Sequence, residues 1–364
     1  MTLVSCVVPP QSPDENACRG MSRGIRAIRN RYTAIARSQR RPEKPLSPNI
    51  SVVIPAYNAD KFIVRALASI ENQTLKPDEV IVIDDGSTDH TALQVGEFAR
   101  HSKLTLMLER QPNRGSSAAR NNGIRKAAGE LITFLDADDL IYPTFLEHTV
   151  SGLTRFPNWA ACFTDRDVVD VDGKFISHDL DHPVFRQIVK KTMGGGFIEL
   201  EDDDLFSNMI AGSVIPMTIT CRKSCIDAVG GFDETLLFNE DRLFFLQLIK
   251  KKGKLGYFDE SLGVWQRHAA NKTSTSNAIN AIKYSDLILQ KLIAGKDSLD
   301  LSPAEITGVR TAQRRLASQW MYAASRARSL STFALGRRLL AERRITIGCF
   351  LKAIGRYMIS SPKS

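Results

Sequence analysis

Three polar clusters in the first 140 residues each follow a short apolar segment. The apolar segments are Ile50–Ile54, Val80–Ile83 and Leu131–Leu135, and the clusters are Pro55-Ala56-Tyr57-Asn58, Asp84-Asp85-Gly86-Ser87 and Asp136-Ala137-Asp138-Asp139. If the segments are parallel strands of an open α/β sheet, their carboxyl ends meet at one edge, where such sheets bind ligands. One acidic strand end could simply cap a helix, because Asp is a common N-cap residue. Three polar ends together predict a ligand-binding cleft.

The cluster Asp136-Ala137-Asp138 can present two carboxylates to one divalent cation. Mg²⁺ and Mn²⁺ prefer hard oxygen ligands and are often held by one or two carboxylates together with substrate phosphates. An isolated Asp-x-Asp motif is common by chance, but this one directly follows a predicted buried strand. We therefore expect Asp136 and Asp138 to hold Mn²⁺ or Mg²⁺, and Asp139 to cap the next helix.

Two further clusters lie in the second half of the chain. Glu240-Asp241 precedes an amphipathic segment, so the two acids could act in catalysis or could merely cap a helix and suit its dipole. Trp265-Gln266-Arg267-His268 combines aromatic and basic side chains. Arg267 could neutralise phosphate charge and His268 could approach a metal or pyrophosphate, with ordinary surface packing as the alternative. The residues alone leave both choices open.

Strand and helix patterns alternate around these clusters. The four predicted strands are the three named segments and Leu104–Leu108, and this βαβαβαβ order predicts an α/β fold with a mostly parallel sheet between helices. Ser116–Ala128 is predicted to be a helix with Gly129 as its C-cap. Ala160–Val169 and Lys174–Ile176 are predicted to form a hairpin, and residues 177–212 to be irregular.

Charge divides the chain into three parts. Residues 1–49 carry a net charge of +6 and residues 302–364 one of +10, which leaves about −7 for the middle of a chain whose total is +9. We expect a flexible basic N-terminal arm with a Pro-rich linker at 1–49, a folded α/β domain at 50–270, and a basic helical C-terminal extension at 271–364. Basic ends on an acidic centre suggest an anionic membrane surface as partner. Nucleic acid is disfavoured, because the ends lack stacking aromatic residues.

Composition excludes several classes of protein. Six cysteines without a paired spacing argue against a disulfide framework and favour a reducing, cytoplasmic location. The longest charge-free run, Leu205–Cys221, has 17 residues and contains polar residues and Pro216, whereas a membrane span needs about 20 mostly apolar residues. We expect a cytoplasmic protein that is at most peripheral to the membrane.

The region from Ile50 to His268 resembles the family 2 glycosyltransferases. The matching runs are SVVIPAYNADKFIVRALASIENQT, EVIVIDDGSTDHT, NRGSSAARNNGI, GELITFLDADD and VGGFDETLLFNEDRLFFLQLIKKKG. The resemblance implies a GT-A (Rossmann-like) fold for a catalytic domain at 50–270, with a donor-nucleotide half at 50–140 and an acceptor half at 141–270. It also implies inverting, metal-dependent transfer from a nucleotide-diphospho-sugar, with a UDP-sugar favoured, to the hydroxyl of a saccharide or lipid-linked saccharide. It places the reaction in bacterial cell-surface or exopolysaccharide biosynthesis.

The resemblance also assigns site residues. The donor nucleotide is expected at Pro55, Ala56, Tyr57, Asn58, Asp84, Asp85, Arg120, Asn121, Asp136 and Ala137, and the metal at Asp138, Asp136 and His268. Asp85 is similar to the aspartate that accepts a hydrogen bond from a pyrimidine base, with Asp84 as runner-up. Arg120 facing solvent is the alternative to its donor role. Asp241 is the expected general base, with Glu240 as the supporting or alternative candidate.

Two other functions remain as alternatives. A sugar-nucleotidyltransferase also uses an α/β nucleotide-binding sheet and a divalent metal, but it should carry a glycine-rich basic loop where this chain has Pro55-Ala56-Tyr57-Asn58. A non-catalytic nucleotide-sugar-binding protein need not keep both acidic sets intact. The Gln-x-x-Arg-Trp motif of processive family members is absent, which favours the addition of one residue at a time.

Overall fold

The computed structural model describes residues 48–200, 202–211, 215–268, 271, 278–326 and 331–359. The predicted arm at 1–49 therefore lies almost entirely outside the described residues and stays a prediction. The strands are β1 (Ile50–Ala56), β2 (Glu79–Asp84), β3 (Leu106–Arg110), β4 (Leu131–Phe134), β5 (Leu140–Ile141), β6 (Trp159–Val169), β7 (Phe175–His178), β8 (Lys190–Gly194), β9 (Phe197–Leu200), β10 (Ile219–Arg222) and β11 (Lys254–Gln266).

Helices alternate with these strands and then continue alone. They are α1 (Ile63–Glu71), α2 (Thr91–His101), α3 (Ser116–Lys126), α4 (Phe145–Arg155), α5 (Pro183–Gln187), α6 (Asp202–Ala211), α7 (Lys223–Val229), α8 (Glu240–Lys252), α9 (Ala278–Ala294), α10 (Pro303–Arg326), α11 (Ser331–Ala341) and α12 (Ile347–Ile359). A short 3₁₀ turn covers Asp179–Asp181. The predicted hairpin is confirmed as the antiparallel pair β6 and β7.

One sheet forms the centre of the described chain, in the order β3-β2-β1-β4-β10-β6-β11-β9-β8. The first four strands are parallel, as predicted, and β6 is parallel to β11. The strands after residue 140 add antiparallel neighbours: β10 pairs with both β4 and β6, and β9 pairs with β11. The pattern of β1 to β4 therefore predicted the parallel part of the sheet.

Successive side chains of a strand point to opposite faces, and both faces of β1, β2 and β4 are buried, whereas β3 at the edge is largely exposed. Val52 and Ile54 of β1 join a core with the buried side of α1, whereas Val53 joins the opposite core with α3 and α8. The α1 spacing that places Ile63, Leu67 and Ile70 on one side is the helical period expected from the sequence. Packing on both faces of the sheet therefore fixes the positions of the strand ends.

The helix α3 ends earlier than expected, and the predicted C-cap role of Gly129 is wrong. Lys126 is its last residue and Ala127 its C-cap. Gly129 instead passes β1 so closely that an added Cβ would lie 2.6 Å from the Ser51 hydroxyl oxygen. Its backbone N–H donates to that hydroxyl at 2.9 Å. The glycine is needed for close approach to the sheet.

Residues 177–212 are not irregular as expected. They include the 3₁₀ turn, α5, β8, β9 and α6. These elements are short, and β8 is mostly exposed, so their sequences carry little apolar periodicity. Phe185, Leu200 and Phe206 nevertheless join the large core cluster.

The described residues after 277, in the predicted C-terminal extension, form the helices α9 to α12, and α9 and α10 pack on the domain that contains the sheet. Ile288, Leu289 and Val309 of α9 and α10 belong to the same core cluster as the buried residues of α8. Arg344 pairs with Asp286, and both side chains are buried. Within the described residues, no helix has the length and apolar character required to cross a membrane.

Candidate active site

The carboxyl ends of β1, β2 and β4 meet at one edge of the sheet. In the register of the pairs, Ala56 of β1 lies beside Asp84 of β2, and Val53 of β1 lies beside Phe134 of β4. Within the first polar cluster Ala56 is buried and Pro55 is half-buried, whereas Tyr57 is 52% exposed. Tyr57 is therefore the exposed aromatic residue of this cluster, and its contact with a donor stays a prediction.

Asn58 joins the first two strand ends. Its backbone has a left-handed φ of 49°, which asparagine tolerates better than most residues. Its backbone N–H donates to the Ser87 hydroxyl at 2.9 Å, and its side-chain oxygen accepts from the Thr88 N–H at 2.9 Å. Asn58 thus positions the loop, and its predicted donor contact is untested.

The two aspartates that end β2 are both buried but differ in their partners. Asp84 accepts from the Ser87 N–H at 2.8 Å and lies 3.4 Å from the Arg110 Nε. The Asp85 carboxylate accepts from the Gln111 side chain and from the backbone N–H groups of Arg114 and Gly115, at 2.7–2.9 Å. A carboxylate has about four acceptor positions, so Asp85 retains one for a ligand N–H. This geometry favours Asp85 over Asp84 for the predicted contact with a base.

Arg120 is a buried bridge between the two acidic sets. Its Nη2 lies 2.6 Å from the Asp136 Oδ1, and its Nη1 lies 2.9 Å from the Glu240 Oε1. Burial by itself would lower the pKa of Arg120, but the two carboxylates outweigh burial and raise the pKa above its ordinary value. The side chain does not face solvent, so that alternative is wrong. The bridge brings the end of β4 and the start of α8 to one place.

The neighbouring Asn121 is committed to the loop before α8. Its amide nitrogen donates to the Phe232 carbonyl at 2.8 Å and to the Glu234 carboxylate at 3.0 Å, and its oxygen accepts from the Phe232 N–H at 2.9 Å. The predicted contact of Asn121 with a donor remains untested. Its observed bonds hold the Gly231–Glu234 segment against α3.

Glu240 and Asp241 open α8 in different environments. The Glu240 side chain is 8% exposed, pairs with Arg120, and accepts from the Ser116 hydroxyl at 2.5 Å. Asp241 is half-buried, and its Oδ1 accepts from the Arg242 N–H at 2.8 Å. Neither acid is the N-cap of α8, which is Asn239, but both lie in the first turn, where acids suit the helix dipole. Glu240 is held as a structural partner of Arg120, and the role of Asp241 as a base stays a prediction.

Asp138 meets His268 across 130 residues of sequence. The His268 Nε2 lies 3.0 Å from the Asp138 Oδ2, which also accepts from the Asn271 amide at 3.1 Å. The imidazole stacks on Phe62, with ring centroids 4.6 Å apart. Burial and the nearby Asp136 raise the pKa of Asp138, and His268 partly offsets this. Ala137, between the two aspartates, is buried.

The carboxylates that follow β4, those of Asp136, Asp138 and Asp139, suit a divalent cation in their number. Within the described residues, no three His, Cys, Asp or Glu side chains are arranged to hold a metal ion by themselves. A buried Asp139 oxygen, Oδ1, nevertheless lacks a hydrogen-bond partner, and Asp138 is 28% exposed at its side chain. Such an excess of carboxylate fits a cation that takes its remaining ligands from phosphate oxygens. The predicted ligands Asp138, Asp136 and His268 are not arranged as a three-ligand metal site by themselves, so their role in holding a cation stays a prediction.

Arg166 is a site residue that the sequence did not single out. Its guanidinium pairs with Asp139 at 3.0 Å and with Asp179 at 2.6 Å, and it lies over the Trp265 ring. Asp139 therefore pairs with a buried arginine and is not the helix cap that was expected. Arg166 lies in the middle of a strand, and nothing in the local pattern marked it.

Comparisons with known proteins agree with this fold. Residues 51–207 match the model of Glycosyl transferase family 2. A chondroitin synthase of Escherichia coli is 34% identical over 139 residues, which are 38% of this chain and 20% of that protein. An uncharacterized glycosyltransferase of Rickettsia prowazekii is 28% identical over 246 residues, 66% of this chain and 70% of the relative. This chain thus spans only a fifth of the first relative.

Solved structures show the same architecture. S. aureus TarS 1–349 in complex with UDP-GlcNAc has a TM-score of 0.56 at 19% identity, over 85% of this chain and 88% of that one. A mannosyltransferase of Pyrobaculum calidifontis in complex with GDP-Man and Mn²⁺ has a TM-score of 0.51 at 18% identity, over 93% and 96%. The predicted GT-A fold class, a largely parallel sheet flanked by helices, is confirmed.

Proposed function

We propose that this chain, whose residues 51–207 match the model of Glycosyl transferase family 2, is an inverting transferase of that family acting on a nucleotide-diphospho-sugar. The acceptor is a hydroxyl of a saccharide or of a lipid-linked saccharide. The observation that carries the proposal is the Arg120 bridge, which joins Asp136 at the strand end to Glu240 at the start of α8. It supports a single cleft shared by the donor and the catalytic acids.

A UDP-sugar is the proposed donor. Similar folds hold UDP-GlcNAc or GDP-Man, which supports a sugar bound through its nucleoside diphosphate. The exposed Tyr57 ring is suited to stack on the base, and the remaining acceptor position of Asp85 is suited to a pyrimidine N–H. The similarity to a protein named chondroitin synthase supports a role in cell-surface polysaccharide synthesis.

Mn²⁺ or Mg²⁺ is the proposed cofactor, held by Asp138 and His268 with Asp136 alongside. When bound, such a cation neutralises charge that develops on a departing diphosphate. This chain contributes the carboxylates and, through Phe62, the orientation of the His268 ring. Arg120 pairs with one oxygen of Asp136, Oδ1, and the other oxygen is the one assigned to the cation in this proposal.

Asp241 is the proposed general base. Its carboxylate would take the proton from the acceptor hydroxyl as that oxygen attacks the anomeric carbon, and the nucleoside diphosphate would leave from the opposite face. One displacement of this kind inverts the anomeric configuration. Glu240 is less suited, because its carboxylate is buried against Arg120 and Ser116.

The test is Asp241→Asn, with UDP-sugar hydrolysis or transfer measured beside UDP affinity. We expect turnover to fall by about 10²–10⁴-fold, the usual contribution of a general base, while UDP affinity stays within about twofold of the unmodified protein. Asp227→Asn, which alters an exposed acid of α7, is the matched control. Near-normal turnover of Asp241→Asn would remove Asp241 from the mechanism.

The metal site is tested by titrating UDP with and without Mn²⁺. We expect Mn²⁺ to strengthen UDP binding by the unmodified protein and to have little effect on Asp138→Ala. Calorimetry reads this directly, without turnover. Activity that persists in excess EDTA, or equal Mn²⁺ dependence of both proteins, contradicts the metal assignment.

The basic ends support an anionic membrane surface as a further partner, at the inner face of the cytoplasmic membrane. Residues 302–364 carry a net +10, and exposed Ile347 and Leu351 lie one turn apart on α12. Co-sedimentation with phosphatidylglycerol vesicles, compared with neutral vesicles and with DNA, tests this. If the protein binds DNA and anionic vesicles equally well, the binding is non-specific charge attraction and the membrane assignment fails.

A further inference from the structure

A groove lies between α9 and α10, beside the first turn of α8. Its deeper part has a volume of about 490 Å³ and is bordered by α6, α8, α9 and α10. A second hollow of about 640 Å³ shares Arg315 and Gln319 with the first and extends to Tyr322. The shared residues make the two hollows one continuous feature, which we call the α9–α10 groove. Its volume is in the range of small-molecule and oligosaccharide sites.

Its lining carries the chemistry that binds sugars. Hydroxyl and amide side chains contribute both donors and acceptors, from Ser285, Thr311 and Gln319 among others. Tyr322 at the outer end is 45% exposed and offers an aromatic surface. A pyranose ring presents hydroxyls around its edge and C–H groups on its face, so hydroxyl, amide and aromatic groups suit it together.

The groove also carries positive charge. The Arg242 side chain is 3% exposed, and its guanidinium donates to the carbonyls of Met209 and Ile210 at the end of α6, which it holds beside the groove. Arg315 is exposed and lines both hollows, and among the described residues no acid forms an ion pair with it. A bound anion would compensate the charge of Arg315.

The position of the groove connects it to the catalytic acids. Asn239 lines the deeper hollow, and its amide donates to the Ser285 hydroxyl at 2.9 Å and to the Ala281 carbonyl at 3.2 Å. Asn239 immediately precedes Glu240 and Asp241. The groove therefore runs along the C-terminal extension to the turn that presents the proposed base.

We propose that the α9–α10 groove binds an anionic oligosaccharide, which is the acceptor chain of the transfer reaction. The inference rests on the proposed function and assigns it an acceptor class. It also gives the C-terminal extension a role, since α9 and α10 supply most of the lining.

The test uses the full chain and two oligosaccharide probes, hexagalacturonate as the carboxylate-bearing chain and maltohexaose as the neutral one. Binding is measured by calorimetry at about 0.15 M salt, where interactions beyond about 8 Å are screened. We expect Arg315→Ala to weaken hexagalacturonate binding at least tenfold, the scale of a charge-assisted hydrogen bond. Arg314→Ala, the adjacent exposed arginine outside the groove lining, should change it less than twofold. Equal losses in the two variants, or equal affinity for both probes, would overturn the proposal.

A second variant fills the groove. Thr311 is exposed on α10 and lines the deeper hollow, so Thr311→Trp should abolish hexagalacturonate binding and leave UDP affinity and the melting temperature unchanged. Retained hexagalacturonate affinity in this variant places the saccharide elsewhere. If the unmodified protein binds UDP but not hexagalacturonate, only the groove assignment fails. If it binds neither UDP nor a UDP-sugar, the proposed function fails.

Discussion

Removing the Arg120 guanidinium should destabilise the fold through the carboxylate it leaves behind. In Arg120→Met a side chain of similar length remains, but Glu240 loses its cationic partner while it stays 8% exposed. Removing one partner of a buried ion pair costs about 3–5 kcal/mol. Asp136 is 32% exposed, so solvent screens its charge, and the loss of its ion pair with Arg120 contributes at most about 1 kcal/mol.

The expected loss in the free energy of unfolding is therefore about 3–5 kcal/mol. For a domain of this size about 1 kcal/mol corresponds to about 2–4 °C, so the melting temperature should fall by roughly 6–20 °C. Urea unfolding followed by circular dichroism measures the free energy. Arg114→Met is the matched control, because Arg114 also pairs with a glutamate, Glu234, but is 61% exposed. Its loss should stay below about 1 kcal/mol.

A second substitution tests the cause of the loss. Adding Glu240→Gln to Arg120→Met removes the unpaired charge, and we expect it to restore at least about 1 kcal/mol. The reasoning is refuted if Arg120→Met costs no more than Arg114→Met, or if neutralising Glu240 restores nothing. If the stability lost in Arg120→Met is the same in 1 M salt, this agrees with the burial of the bridge.

Three smaller predictions follow from local packing and exposure. Gly123→Ala should lower the free energy of unfolding in urea by about 1–3 kcal/mol, because the added Cβ would lie 2.3 Å from Val53. Gly96→Ala, which has open space around it, should leave it unchanged. Equal effects of the two substitutions would contradict this. Native Cys162 should resist iodoacetamide, since burial raises the pKa of its thiol, while the half-buried Cys349 should react faster; mass spectrometry of the labelled peptides decides. Tyr57→Ala should weaken UDP binding by about 1–3 kcal/mol in calorimetry, and unchanged affinity would exclude base stacking on Tyr57.

The sequence predicted the strands of residues 50–140 well because the signals for them are local. The β-branched runs of β1, β2 and β4 and the polar residues after them required no knowledge of distant partners. Burial on both faces produces such continuous apolar runs, and the carboxyl ends of parallel strands must meet. The position of the cleft therefore followed from the order of strands and helices.

The interactions inside the site were less predictable, because they depend on contacts across the chain. The sequence favoured a donor-binding role for Arg120 and left a solvent-facing side chain as the alternative. The partner that it contacts in the structure, Glu240, lies 120 residues away along the chain. Arg166 had no motif around it, although it pairs with Asp139. Gly129 looked like a helix terminator, whereas the Ser51 hydroxyl explains it. Each error came from a residue whose partner is distant along the chain.

The long-range Arg120 bridge also limits how the chain can be recombined. The family match ends at residue 207, so Glu240, Asp241 and the helices α9 and α10 lie beyond it. A hybrid chain joined near residue 207 would inherit the arginine from one parent and its glutamate from another. Recombination at this point therefore requires both residues to come from the same parent, or a compensating pair to replace them.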